Sequence, residues 1–152
     1  MNLRFQPAGH SDIDALFELS KTLIDRYEDL SSIDLDEVLP WVRRKLLKKL
    51  PEYRAVYLND EKVGFFRLFE SDGNVLELDD LYVLSPHQGQ GIGSEIIRYC
   101  ISESNKHEKP LTLYVFTKNT GAIRLYERFG FRIRETVSPT RIIMERLPDS
   151  AE

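Results

Sequence analysis

A glycine-rich turn at residues 88–94, with the sequence Gln-Gly-Gln-Gly-Ile-Gly-Ser, joins two segments whose apolar residues follow different periods. The segment before it, Val75 to Leu84, has the apolar character of a strand. After the turn, apolar residues recur at helical spacing: Ile92, Ile96, Ile97, Cys100 and Ile101. The first N–H groups of a helix have no intrahelical partners, and the partial positive charge there favours an anion. The pattern predicts an anion site or, alternatively, a tight turn that holds nothing.

Two common phosphate-binding loops do not match this turn. A Walker loop needs a Gly-Lys pair, and the chain contains none. The dinucleotide fingerprint needs its third glycine three residues after the second, whereas Gly93 follows Gly91 by two. The three consecutive strands before the turn also contradict a doubly wound parallel sheet.

The apolar period along the chain predicts the order of the elements. The expected helices cover residues 12–29, a stretch that follows Asp34, the segment after the turn up to Pro110, and residues 121–129 with Thr120 as the cap. The expected strands are Tyr53–Leu58, Lys62–Phe69, Val75–Leu84, Leu111–Phe116, Arg132–Val137 and Arg141–Arg146. This order predicts a mixed α/β fold in which a mostly antiparallel central sheet is flanked by helices. Residues 1–152 are expected to form a single domain.

Charge and composition limit the partners of the chain. Its 152 residues include 21 basic and 25 acidic side chains, a net charge of −4 that disfavours nucleic acid. The single cysteine and the three histidines do not show zinc spacing, so no metal is expected, and a reducing cytoplasm fits best. The longest apolar runs are four residues, which predicts no membrane span, and the first twenty residues do not resemble a secretory signal.

Two motifs together resemble the GNAT superfamily of N-acetyltransferases. The first is Gln-x-x-Gly-x-Gly at Gln88, Gly91 and Gly93. The second is the run from Asn119 to Phe131, with its Asn, Ala, Tyr and Gly-Phe signature. The resemblance implies the acyl-CoA N-acyltransferase fold and acetyl-CoA as a cosubstrate, with no metal.

The resemblance also assigns residues to the cosubstrate. The turn would hold the CoA pyrophosphate through backbone amides, and the strands before and after the following helix would splay apart around the pantetheine arm. Asn119 would help to hold this arm, or would simply cap the helix that it precedes. The residues implied in cosubstrate binding are Leu81, Tyr82, Val83, Gln88, Gly89, Gln90, Gly91, Gly93, Ser94, Asn119 and Tyr126.

Tyr126 occupies the family position of the general acid. A phenol with a pKa near 10 can protonate a thiolate whose parent thiol has a pKa near 8.5. The alternative is that Tyr126 only packs on the core.

Three carboxylates interrupt the apolar strand before the turn: Glu77, Asp79 and Asp80. An alkylammonium must lose a proton before it attacks, so one of them could be the base. Glu77 is the first candidate because it precedes Gln88 by eleven residues, a spacing similar to that in the histone-acetylating branch. Asp79 is the second, and water alone or Asp80 remain possible. Strand alternation places Asp80 on the face opposite Glu77 and Asp79 unless a bulge intervenes. Alternatively, these acids pair with basic residues of a neighbouring strand.

The two N-terminal helices are expected to wall the acceptor site. Their basic run, residues 43–49, is interpreted as a solvated helix face. Beside the turn, His87 could contact a phosphate or act as a base, although a lone exposed histidine more often does neither. The predicted function is transfer of acetyl from acetyl-CoA to a primary amine of a small molecule or a protein, by direct attack in a ternary complex. The alternative is a non-catalytic acyl-CoA-binding or regulatory module, and either a monomer or a homodimer is compatible with the sequence.

Overall fold

The computed structural model describes residues 1–150. Within that range the helices are α1 (Ile13–Tyr27), α2 (Leu35–Lys49), α3 (Ile92–His107) and α4 (Thr120–Arg128). The strands are β1 (Leu3–Pro7), β2 (Tyr53–Leu58), β3 (Glu61–Ser71), β4 (Val75–Val83), β5 (Leu111–Phe116), β6 (Arg132–Ser138) and β7 (Arg141–Arg146).

The seven strands form one sheet in the order β1-β2-β3-β4-β5-β7-β6. Only β4 and β5 are parallel, because α3 connects them as a crossover. The last hairpin folds back so that β7 pairs with β5 and leaves β6 at the edge. The predicted mixed α/β fold with a mostly antiparallel central sheet is confirmed.

Each face of the sheet carries its own apolar core. On one face, α3 buries Ile96 and Ile97 completely against β4, β5 and β7. On the other face, α1 and α2 bury Leu16 and Leu46 against Tyr53 of β2. Burial of one such aliphatic side chain stabilises the fold by about 1.5–3 kcal/mol. The sheet is therefore held between two helical layers, and its central strands are buried on both faces.

Local hydrogen bonds fix where two helices begin. The carboxylate of Asp34 accepts from the Asp36 N–H at 3.0 Å and caps α2. The side-chain oxygen of Asn119 accepts from the Ala122 N–H at 3.2 Å and caps α4. The prediction of Thr120 as that cap is wrong, because Thr120 is already the first residue of the helix.

None of the helices within residues 1–150 is long and apolar enough to cross a membrane.

Candidate functional site

A gap opens in the sheet between β4 and β5. The two strands pair only at Leu76 with Leu111, Glu77 with Thr112, and Leu78 with Leu113. Beyond these pairs, β4 continues to Val83 bonded to β3 alone, and β5 continues to Phe116 bonded to β7 alone. We call the space between residues 81–83 of β4 and 114–116 of β5 the β4–β5 gap. The backbone of β4 that faces it has no ladder partner in the described part of the chain.

A bulge at Asp80 turns β4 away from β5. Asp80 has a positive φ of 52°, and the register with β3 breaks between Phe65 and Arg67, so that Phe66 opposes two residues of β4. A bulge bends its strand and shifts the phase of its side chains. As a result, Asp79 and Asp80 both point to the α1–α2 face, in contrast to simple alternation, which places them on opposite faces.

The Asp80 carboxylate is the centre of a buried polar network on the α1–α2 face. It accepts hydrogen bonds from the hydroxyls of Tyr53 and, at 3.2 Å, Tyr82. The Tyr82 hydroxyl is also 2.9 Å from the Ser20 hydroxyl of α1. The ammonium of Lys45, from α2, lies 3.6 Å from Asp80. Burial raises the pKa of Asp80 above its ordinary value, and the charge of Asp79 adds to this effect.

Asp79 and Glu77 differ sharply in their partners. Asp79 lies 2.9 Å from the Arg67 guanidinium and 3.1 Å from the Lys45 ammonium. The alternative prediction, that these acids pair with basic residues, is therefore correct for Asp79. Glu77 makes no hydrogen bond or ion pair with any residue of the range 1–150. Its pKa is raised, first by burial and then by the charge of Asp79. Glu77 is therefore the carboxylate of β4 that remains available to an external group.

The glycine-rich turn lies at the end of the same strand. Gly89 and Gly91 have φ values of 77° and 84°, in the left-handed region that favours glycine. A Cβ at either position would meet no atom within 4 Å, so the turn borders open space. No acceptor in the described chain bonds the backbone N–H groups of Gly89, Gln90 and Gly91. The first N–H groups of α3, which have no intrahelical acceptor, follow directly. The turn thus offers several free N–H donors to an anion.

Gln88 and His87 are engaged within the protein. The side-chain NH2 group of Gln88 donates to the Val83 carbonyl at 3.0 Å, and the backbone N–H of Gln88 donates to the Ser85 carbonyl at 3.4 Å. These bonds tie the turn to the end of β4. The His87 ring lies 3.3 Å from the Glu61 carboxylate.

Tyr126 packs on the core and still reaches solvent. Its ring lies edge-on to Phe131, with centroids 5.5 Å apart. Its hydroxyl has no hydrogen-bond partner in residues 1–150. Every fully buried polar side-chain atom in that range does have a partner, so the Tyr126 hydroxyl is not among the fully buried atoms. The hydroxyl must therefore retain contact with solvent. Burial raises the pKa of Tyr126 well above its ordinary value, which keeps the phenol protonated.

The end of α1 contacts the ends of β5 and β7. Tyr27 stacks on Phe116 with ring centroids 5.9 Å apart, and the Glu28 carboxylate lies 3.8 Å from the Arg141 guanidinium. The guanidinium of Arg141 also lies 4.7 Å from the centre of the Phe116 ring. The segment after α1 is therefore attached to the β5 side of the gap.

Several residues of this site were missed from the sequence. The prediction that the basic run forms a solvated helix face is wrong for Lys45, whose ammonium pairs with Asp79 and Asp80. Gly64 of β3 has no room for a Cβ, which would overlap the Tyr82 carbonyl oxygen beside the bulge. A glycine inside a strand pattern signals such a close approach. Tyr53 and Ser20 carry no comparable signal.

Comparison with known proteins identifies the family. A family model described as the acetyltransferase (GNAT) family matches residues 15–131, more than half of the chain. This chain belongs to the GNAT acetyltransferase family. It is accordingly an acetyltransferase enzyme, and the resemblance inferred from the two motifs is confirmed.

Individual GNAT relatives are distant. The chain is 25% identical over 133 residues to the peptidyl-lysine N-acetyltransferase YjaB of Salmonella typhimurium, covering 88% of this chain and 86% of that protein. It is 30% identical over 87 residues to the spermine/spermidine N(1)-acetyltransferase of Bacillus subtilis, covering 51% and 57%. The crystal structure of the PaiA N-acetyltransferase of Thermoplasma acidophilum, in complex with coenzyme A, superposes with a TM-score of 0.71 at 19% identity, covering 97% and 99%. This last similarity establishes the fold alone.

Proposed function

We propose that this GNAT enzyme transfers an acetyl group from acetyl-CoA to a primary amine by direct attack in a ternary complex. The observation that carries the proposal is the coincidence of two features at one end of β4. The β4–β5 gap exposes backbone without ladder partners, and the glycine-rich turn offers free amides directly beyond it. Such a pair of features suits a long ligand with an anionic end.

The residues present fit acetyl-CoA. The amides of Gly89, Gln90 and Gly91, with those of Ile92 to Ser94 at the start of α3, would hold the pyrophosphate. The backbone of residues 81–83 would bond the pantetheine arm as an added strand does. The Asn119 oxygen is used as the α4 cap, and its side-chain NH2 group, which donates to no residue in 1–150, would bond the arm. Gln88 would contribute by bracing the turn.

Acetyl-CoA supplies an activated acyl group, a thioester whose leaving group is a thiolate. Backbone N–H groups at residues 81–83 would bond the thioester carbonyl oxygen and stabilise the negative charge that develops on it. Fixed donors of this kind lower the activation free energy by a few kcal/mol. Tyr126 would then donate its proton to the departing sulfur. Tyr126 keeps this proton at neutral pH, and its raised pKa makes the phenol a weaker acid than an exposed tyrosine.

A carboxylate of β4 would accept the proton of the amine. We place Glu77 first because it has no partner in the described chain and because burial raises its pKa. Asp79 is second because Arg67 and Lys45 already neutralise its charge. Transfer through water is compatible with either residue.

The proposed acceptor is a cationic amine of a small molecule or a protein. On the α1–α2 face Glu28 is paired with Arg141 and Asp80 with Lys45, whereas Glu77 has no cationic partner in residues 1–150, so the charge of Glu77 is the one left to attract an ammonium. The named activities of the relatives, on peptidyl lysine and on spermine or spermidine, are of this chemical class. A cytoplasmic location and a monomeric or homodimeric state stay predictions.

Calorimetric titration with CoA, followed by a free-thiol assay with acetyl-CoA over a panel of amines and peptides, tests the proposal. We expect saturable CoA binding, and thiol release that depends on one class of amine. CoA binding without thiol release on any amine would instead support a non-catalytic binding module. Failure to bind CoA would overturn the assignment of the gap and the turn.

A further inference from the structure

Lys45 differs from the other basic residues of α2 in where its charge lies. Arg43 pairs with Asp14 of α1, and Lys49 pairs with Glu52 just beyond the helix. The Lys45 ammonium instead lies 3.1 Å from Asp79 and 3.6 Å from Asp80. Its side chain is 29% exposed, so the ammonium is partly withdrawn from solvent.

This position places a primary amine beside the proposed reacting centre. Asp80 directly precedes residues 81–83, whose backbone borders the β4–β5 gap. The carboxylates of Asp79 and Asp80 face the α1–α2 side, from which the acceptor is proposed to approach. An ammonium held by two carboxylates at this point resembles the acceptor that the site is proposed to bind.

We propose that Lys45 is a self-acetylation site: its amine takes the acetyl group from the acetyl-CoA bound to the same molecule. This inference rests on the proposed function, because it uses the same donor and the same gap. It adds an acceptor that belongs to the chain itself.

The reaction balances with groups already at the site. The Lys45 ammonium gives one proton to the Asp79 carboxylate, to which it donates a hydrogen bond at 3.1 Å, and the neutral amine forms a C–N bond to the thioester carbon. The C–S bond breaks, the sulfur keeps its electron pair, and the Tyr126 hydroxyl protonates it. Water takes the second proton from the nitrogen, and the Tyr126 phenolate takes a proton back from solvent. The net products are acetyl-lysine, CoA thiol and one proton.

Two features favour an intramolecular reaction. Lys45 is attached to α2, whose Val42 and Leu46 are buried in the core between the helices and the sheet, so its backbone position is fixed. The ion pairs with Asp79 and Asp80 direct its side chain toward β4. Holding two reactants in one geometry replaces a bimolecular encounter by a unimolecular step, which accelerates reactions strongly.

Intact mass spectrometry of the whole protein after incubation with acetyl-CoA, followed by peptide mapping, tests the proposal. We expect the mass of one acetyl group on Lys45, with a rate constant that does not change when the protein is diluted. Tyr126→Phe should slow this modification by about 10- to 1000-fold, the scale of a general acid. Lys45→Arg should abolish it, whereas Lys48→Arg, which changes an exposed lysine one turn away, should leave it intact.

Other outcomes separate this inference from the proposed function. Thiol release with external amines, together with no acetyl group on Lys45, would reject self-acetylation and leave the enzyme assignment standing. Acetyl groups distributed over exposed lysines, or a rate proportional to protein concentration, would also reject it. No CoA binding at all would reject the proposed function, and self-acetylation with it.

Discussion

Asp80 shows how one residue can maintain an unfavourable backbone conformation. A left-handed conformation costs a non-glycine residue about 1–3 kcal/mol, and aspartate tolerates it better than most. The carboxylate accepts two tyrosine hydroxyls, and a hydrogen bond to a charged group contributes about 1.5–3 kcal/mol. These two hydrogen bonds offset part of the strain and of the cost of burying the carboxylate, so Tyr53 and Tyr82 help to hold the bulge.

Tyr126→Phe tests the general acid. We expect turnover to fall by about 10- to 1000-fold with little change in CoA affinity, because only the proton donor is removed and the ring still packs on Phe131. Thiol release and calorimetry measure the two effects. Tyr99→Phe is a matched control, since that hydroxyl bonds Glu103 within α3. Unchanged turnover in Tyr126→Phe would remove this residue from the mechanism.

The pH dependence of turnover distinguishes the two candidate bases. A base acts when deprotonated, so turnover should fall as the pH drops through the raised pKa of Glu77. Glu77→Gln should lower turnover and eliminate this fall at acidic pH, which we call the acidic limb of the pH profile. Asp79→Asn should retain the limb and move it to lower pH, because it removes a like charge that raises the pKa of Glu77. Retention of an unshifted limb in Glu77→Gln would exclude Glu77 as the base.

At the scale of elements, the site results from the way in which β4 and β5 part. Both strands keep a partner on their outer sides, β3 and β7 respectively, after they have separated from one another. The separation therefore sacrifices few ladder bonds while it exposes backbone groups toward the gap. The N-terminus of α3 follows the same strand, so the element order places the free amides at the open end.

Gly91→Glu tests the turn at the start of α3. The substitution introduces bulk and negative charge where the pyrophosphate is proposed, and we expect CoA binding to be lost. Gly91→Ala adds no charge and little bulk, and its cost is limited to the strain of a positive φ at a non-glycine residue. It should therefore weaken CoA binding much less than Gly91→Glu. Gly73→Glu adds the same side chain at another open glycine of positive φ, which precedes β4 and so lies at the opposite end of that strand from the turn, and it serves as the surface-charge control. Full CoA affinity in Gly91→Glu would show that the turn does not hold the phosphates.

Tyr53→Phe tests whether the Asp80 network supports the bulge. Loss of this hydroxyl leaves a buried carboxylate one donor short, and we expect a loss of about 1–3 kcal/mol in the free energy of unfolding. The KM for acetyl-CoA should rise because the β4 backbone beside the gap is less well fixed. Tyr57→Phe changes the same strand at a hydroxyl that bonds Gln6 and should leave the KM unchanged. A stability loss without any change in KM would make the network purely structural.

At the scale of the whole molecule, the central sheet couples two helical layers. Ile96 in the α3 layer and Leu46 in the α1–α2 layer are both almost completely buried, and strands such as β3 contribute to both cores. Unfolding of one layer would expose one face of a sheet that the other layer needs for its own packing. Both layers should therefore unfold together.

Ile96→Ala and Leu46→Ala test this coupling. Each removes a buried aliphatic side chain, and we expect each to lower the free energy of unfolding by about 2–5 kcal/mol. Urea unfolding followed by far-UV circular dichroism should show a single transition in both variants. Two separate transitions in either variant would show that the layers are independent units.

The sequence predicts most of the elements because their apolar periods are clear. Strands Tyr53–Leu58, Leu111–Phe116 and Arg141–Arg146 have the predicted bounds. The placement of β7 inside the sheet was not predicted, since strand order depends on contacts distant in the sequence. Strand alternation allows for a bulge but does not indicate that one occurs at Asp80. Lys45 has the same character in the sequence as its basic neighbours, and only the position of α2 over β4 distinguishes it.

The insertion of β7 between β5 and β6 makes the order of synthesis matter. Ribosomes deliver β5 and β6 first, yet β5 bonds with the later strand. Until residues 141–146 emerge, a nascent chain presents the unpaired backbone N–H and C=O groups along one edge of β5, and such an edge promotes aggregation and chaperone binding. Translation must pass beyond β6 before the strand that borders the gap can gain its second neighbour.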